Sequence, residues 1–168
     1  VGVVLPHGVL FRGAGEGDIR KGILQEDLLE AVVGLPSNLF YGTGIPAAIL
    51  ILNRSKLPRR KNKVLFIEAS REFRQGTAQS YLRNEDVQKI VATFHAFKTV
   101  DKYARVVDLG EIEKADYNLN ISRYIETAEV TEAVDVVHTL RRLRELEQKR
   151  LDAEARMNDY LKELGYDT

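Results

Sequence analysis

Phe40 and Tyr41 stand side by side in LPSNLFYGTGIP, a stretch with two prolines and two glycines in twelve residues. A core ordinarily claims such rings. On a loop they offer flat apolar faces to a planar ligand, or they cap the flanking elements, and loop chemistry alone favours the cap. Further along, residues 53–63 (NRSKLPRRKNK) carry six basic side chains and no acid: Arg54, Lys56, Arg59, Arg60, Lys61 and Lys63. Clustered Lys and Arg release counterions when they meet nucleic-acid phosphates. The competing reading is a solvated turn that guards a sheet edge. A third stretch, RGAGEGD at residues 12–18, spaces Gly13, Gly15 and Gly17 like a phosphate cradle. Glu16 and Asp18 would repel an anion there, and glycine spacing alone is a weak motif, so a surface loop is the better reading. Ser37, His7 and Asp18 have no triad or nucleophile-elbow context, and no carboxylate pair is set for acid–base work. His95 has no ligand partner at a metal-binding spacing.

Short apolar runs must position these residues. Residues 31–35 and 47–52 flank the aromatic loop, and each is five or six residues of consecutive aliphatics, the pattern of a strand buried on both faces. Residues 1–5 and 64–69 read the same way, which makes the basic stretch a loop between two strands. A helix is predicted over 19–30, with Asp18 as its N-cap and Ile19, Ile23, Leu24 and Leu28 as its stripe. A second covers 84–97, on the spacing of Val87, Ile90, Val91, Phe94 and Phe97, and 105–109 is a short strand. In DYNLNISRY, at 116–124, two Asn and a Ser suit side chain to backbone turns, with Tyr117 and Tyr124 as packing anchors whose hydroxyls stay wet. From 131 to about 164 one long charged helix is expected, or two with a small break. Its apolar positions include Val137, Leu140, Leu143, Leu151 and Leu161, and their spacing drifts from a strict heptad.

The chain has 168 residues, 44% hydrophobic and 30% charged, with 25 basic and 25 acidic side chains. That is one domain with an extension, or two small domains. Zero net charge makes any nucleic-acid surface a local one. The absence of cysteine excludes disulfides and thiol chemistry and suits a reducing cytosol. No apolar run reaches the length of a membrane-spanning helix, so no membrane partner is expected.

The run LPSNLFYGTGIPAAILIL, with VVLPHGVLFRG upstream, resembles the modification subunit of type I restriction-modification systems, an adenine-specific DNA methyltransferase. The match is close over the first two thirds of the chain and looser beyond. The resemblance implies an α/β fold: part of an S-adenosylmethionine-dependent, Rossmann-like mixed sheet over residues 1–110, then a linker and C-terminal helical region over 111–168. It implies that the glycine-rich cofactor loop and the Asn-Pro-Pro-aromatic tetrapeptide belong upstream of Val1, so that this chain alone is inactive and binds no cofactor. Phe40 follows the asparagine–leucine pair, where the family stacks an aromatic on the flipped adenine, with Tyr41 competing. The basic loop becomes a DNA-backbone contact. The expected partners are DNA, the specificity subunit and the restriction subunit in the cytoplasm, with the specificity subunit packing beside the long helix. A fragment with a bare helix face and an open strand edge at 1–5 is also expected to self-associate. The alternative is a non-catalytic helical assembly module.

Overall fold

The computed structural model describes residues 1–126 and 136–165, with side chains from 140 onward in the second stretch. The chain divides into two compact units, Val1–Thr127 and Ala128–Thr168.

The first unit is a mixed five-stranded sheet in the order β1-β3-β2-β4-β7. Its strands are β1 (Gly2–Pro6), β2 (Leu29–Gly34), β3 (Ala47–Leu52), β4 (Lys63–Glu68) and β7 (Ala104–Asp108). β2 and β4 are parallel, and the other pairs are antiparallel. Helix α1 (Ala14–Gln25) and a short α3 (Leu109–Lys114) cover one face, and α2 (Asn84–Ala96) covers the other. A two-stranded ribbon, β5 (Arg74–Gln75) with β6 (Ser80–Tyr81), stands apart between β4 and α2. The mixed α/β architecture is the expected one.

β2 is buried along its whole length, as its unbroken aliphatic run requires. β1 differs from expectation. It is the edge strand, its residues alternate between exposed and half-buried, and Val4 faces solvent. An apolar run signals burial on both faces only where both faces have cover. The first helix is also displaced, starting at Ala14 with Gly13 as N-cap and ending before the predicted stop. RGAGEGD is therefore helical for most of its length, and Asp18 lies inside the helix. Three glycines (Gly15, Gly17, Gly22) oppose that helix by propensity, and tertiary contacts hold it. The Arg20 guanidinium donates to the carbonyls of Tyr117, Val9 and Arg12 at 2.7–2.9 Å. Ile23 and Leu24 face the core while Ile19 is exposed. In α2 the packed face is Ile90, Phe94 and, just past its end, Phe97; Val87 and Val91 are exposed.

Residues 116–125 return across the α1 face and close it. Ile121 is fully buried against Gly34, where a Cβ would meet its Cδ1 at 2.7 Å, so β2 needs glycine there. Tyr124 stacks on Phe66 with ring centroids 4.4 Å apart, and its hydroxyl donates to the Asn118 carbonyl at 2.5 Å. That hydroxyl is partly buried and bonded rather than wet. The Asn118 carboxamide accepts from the Asn120 N–H at 2.8 Å, the turn its composition suggests. The segment after residue 110 thus belongs with the sheet, and the unit boundary falls near 127 instead of 110.

The second unit contains α4 (Val136–Glu163), one helix of 28 residues. Leu140, Leu143, Leu146, Leu151 and Met157 are each about half exposed, and Leu161 is more covered. The side chain of Val137 lies outside the described residues. Among the described residues no helix is long and apolar enough to cross a membrane.

Candidate nucleic-acid interface

The strand directions decide which residues can act together. Pro6, Gly34, Ala47 and Glu68 lie at one end of the sheet; Leu52, Leu29 and Lys63 lie at the other. The loop 35–46, with Phe40 and Tyr41, leaves the first end, where parallel β2 and β4 finish. That is the end at which open α/β sheets gather their ligands. The basic loop 53–62 joins β3 to β4 at the opposite end. At ~3.3 Å per residue, about 17 Å of strand separates the two. The aromatic pair and the basic loop are not one site.

Phe40 is 43% exposed and Tyr41 87%, so neither ring is claimed by the core. Phe40 lines a shallow cleft of about 230 Å³ with Val4, Pro6, Thr43, Ile45 and Pro46. A drug-sized site begins near ~300 Å³, so this cleft suits one flat ring system. Local backbone turns shape the loop. Gly42 takes φ +74°, Asn38 takes φ +56°, and the Thr43 hydroxyl accepts from the Ile45 N–H at 3.2 Å. Tyr41 does not line the cleft.

The basic loop is less available than its composition suggests. Lys56 and Arg60 are each only 6% exposed. Lys56 Nζ donates to Asp27 Oδ1 at 2.5 Å and to the Lys63 carbonyl at 3.0 Å. Arg60 Nη1 donates to Glu30 Oε1 at 3.0 Å, and Nη2 donates to the His95 carbonyl at the end of α2 at 2.9 Å. The Arg60 guanidinium also lies 4.5 Å from the Phe97 ring centroid and 5.3 Å from that of Phe94. These two cations are internal posts, which corrects their assignment as backbone contacts. Arg54, Arg59 and Lys61 remain exposed, and Lys63 is half-buried. The signal that sequence reading missed is Glu30. An acid that opens the run EAVVG within a buried strand must find a cation, and the next basic cluster supplies it.

At the aromatic end, Arg83 closes the start of α2. Its side chain meets Asp86 at 2.8–2.9 Å and Glu85 at 2.6 Å, and the Arg83 hydrogen bonds hold the Asp86 carboxyl below the usual carboxylate range. An apolar cleft of about 290 Å³ lies elsewhere, between α1 and the β1–β3 edge. Among its walls only Glu16 and Arg20 carry charge. Among the described residues no cluster of three or more His, Cys, Asp or Glu is placed to hold a metal ion.

Residues 1–133 match the family model for N-6 DNA methylases. The chain is 43% identical over 167 residues to the MjaVIII type I restriction enzyme methylase subunit of Methanocaldococcus jannaschii, covering 98% of this chain and 29% of that protein. It is 38% identical to the HindI methylase subunit of Haemophilus influenzae, covering 90% of this chain and 37% of that protein. The type I methyltransferase subunit from Streptococcus thermophilus superposes with a TM-score of 0.69 at 43% identity, over 74% of this chain and 26% of that one. The EcoKI M protein shares the fold, with a TM-score of 0.59 at 18% identity over 99% of this chain and 41% of that one. This chain spans about a third of the length of these relatives. It belongs to the N-6 DNA methylase family, and the relatives it matches there are methylase subunits of type I restriction-modification systems.

Proposed function

We propose that this chain is the part of a type I adenine DNA methyltransferase subunit that presents an aromatic face to the flipped target base, and that it works with DNA and with the specificity and restriction subunits in the cytoplasm. The observation that carries the reading is Phe40. It is held out of the core on a loop between two sheet strands, beside a cleft sized for one ring system, at the ligand end of the sheet. An enzyme that acts on a base amine must take the base out of the stack. An aromatic face offsets part of the lost stacking. Phe40 lines the cleft and Tyr41 does not, so Phe40 is the stacking ring.

In this reading S-adenosylmethionine supplies the methyl group in the intact subunit. The glycine-rich stretch that comes nearest a cofactor loop in composition is wound into α1, with Glu16 3.9 Å from Arg12. This chain's own residues are assigned the base and backbone contacts of that reaction. In the full-length enzyme, Phe40→Ala should lower catalytic efficiency by about 5- to 150-fold, the loss of ~1–3 kcal/mol of stacking, with cofactor affinity unchanged. A variant that methylates normally but melts earlier would make the ring structural.

Arg54, Arg59 and Lys61 are read as contacts to a more distant stretch of the same duplex. Changing all three to Gln should flatten the slope of log affinity against log salt by up to about 2.7, at ~0.9 per phosphate contact. Methylation at saturating DNA should hold. An unchanged slope makes the loop a solvated turn.

Assembly is the second role. Half-exposed Leu140, Leu143 and Leu151 form an apolar surface on α4, and together with Leu161 and Val137 this helix is proposed to meet the specificity subunit. The same surface and the open β1 edge give the isolated chain two routes to self-association.

A further inference from the structure

We infer that the β5–β6 hairpin is a second nucleic-acid contact, with Arg74 taking a backbone phosphate and Tyr81 a sugar or base face, next to the strand whose base Phe40 receives. The inference rests on the reading above, and different observations carry it. Arg74 and Tyr81 are direct cross-strand partners in the ribbon, and both are exposed. Arg74 has no ion pair or side-chain hydrogen bond among the described residues. Its neighbours differ in this: Arg83 is neutralised by Glu85 and Asp86, and Glu72 by Lys89. Between Phe73 and Asn84 the chain has no acid. Arg74 is thus an uncompensated cation on a small ribbon, a poor choice for stability and a good one for a phosphate.

The hairpin turn is also tightly packed. The Gly76 N–H donates to the Gln79 carbonyl at 2.9 Å, and a Cβ on Gly76 would sit 2.4 Å from Tyr81 Cε2 and 2.6 Å from that carbonyl. Only glycine lets the Tyr81 ring lie across the turn. The ring stays 48% exposed, so its outer face is offered rather than packed. With Arg74, Gln75, Thr77 and Arg83 it borders one open cleft.

Two bonds fasten this hairpin to the aromatic loop. The Ser80 N–H donates to the Asn38 carbonyl at 2.8 Å, and Gln79 Nε2 donates to the Leu39 carbonyl at 3.3 Å. Both acceptors lie within two residues of Phe40. Both segments leave the sheet where parallel β2 and β4 end. A strand with one base on Phe40 must run past this hairpin, whereas the basic loop is a strand length away.

The test uses the full-length subunit assembled with its specificity subunit and a fluorescent 30-base-pair duplex that carries the site the complex methylates. Arg74→Gln should reduce the salt slope by about 0.9, or ~0.7 if the contacted strand is single. Tyr81→Ala should weaken binding about 5- to 150-fold. Gly76→Ala should reproduce the Tyr81 loss by displacing the ring. Unchanged slope and affinity in Arg74→Gln, with melting as in the wild type, overturns the inference. So does an unchanged DNA slope with weaker capture of the specificity subunit, which would make the hairpin a protein contact. If Phe40→Ala impairs methylation while Arg74→Gln and Tyr81→Ala are silent, the hairpin assignment fails alone. If Phe40→Ala is silent too, the base-stacking reading fails with it.

Discussion

Replacing Arg60 with alanine should lower folding stability by about 3–5 kcal/mol, the cost of leaving one member of a buried ion pair without the other. Arg60 joins three parts of the sheet unit. Its guanidinium meets the Glu30 carboxylate, the His95 carbonyl at the α2 terminus, and the faces of Phe94 and Phe97. Alanine strands Glu30, which keeps only its bond from Asn53 Nδ2 at 2.9 Å. Lysine should rescue little, because an ammonium lacks the flat fork that spans Glu30 and the His95 carbonyl while lying against the Phe94 and Phe97 rings. A double replacement, Arg60→Met with Glu30→Leu, removes both charges and should recover most of the loss. Urea melts with an unchanged m-value would read these differences. A deficit under about 1 kcal/mol for Arg60→Ala would mean that water reaches Glu30 and that the pair is in effect a surface one.

The second large effect is expected at Tyr124. Tyr124→Ala removes a buried ring stacked on Phe66 and opens the α1 face, a loss of about 3–5 kcal/mol for a large aromatic in a core. Tyr124→Phe deletes only the hydrogen bond to the Asn118 carbonyl and should lose ~1 kcal/mol. Burial raises the Tyr124 phenol above its ordinary value, and burial pushes that of Tyr103 up to about 12. A phenol whose folded value is raised favours the native state below its unfolded value near ~10. That contribution is fully present at neutral pH and declines as pH climbs from about 10 towards 12. Tyr124→Phe should blunt the alkaline decline. If the alanine variant melts like the wild type, residues 116–125 are an appendage and the sheet closes without them.

Much of this fold could be read from composition, and the reasons are local. Ala47–Leu52 and the VLFI of β4 read as strands because consecutive aliphatics over six residues have few other uses. The turns of DYNLNISRY follow from Asn side chains that bond their own backbone. What failed was non-local. Nothing near RGAGEGD announces that Arg20 will anchor a glycine-laden helix to carbonyls as distant as that of Tyr117. Lys56 and Arg60 look like their exposed neighbours until Asp27 and Glu30 are brought beneath them. The aromatic loop and the basic loop are adjacent in sequence, and only the antiparallel course of β3 sends them to opposite ends. The hairpin at 74–81 is two residues per strand, too short for any periodicity.

The separation of those two ends has a consequence for how variants combine. Phe40 and Arg59 share no contact and lie about 17 Å of strand apart, well past the ~7–10 Å beyond which perturbations stop interacting. Between them α2 runs as one helix, fixed at its start by Arg83 and Asp86 and at its finish by Arg60. Coupling needs an element with two discrete arrangements, and a rod pinned at both ends is a poor candidate for one. A double-mutant cycle on Phe40 and Arg59 should close to within about 0.5 kcal/mol. Phe40 and Tyr81, joined through Asn38 and Ser80, should not behave additively. Changes at the basic end can therefore accumulate without disturbing the aromatic end, while the aromatic loop and its hairpin must change together.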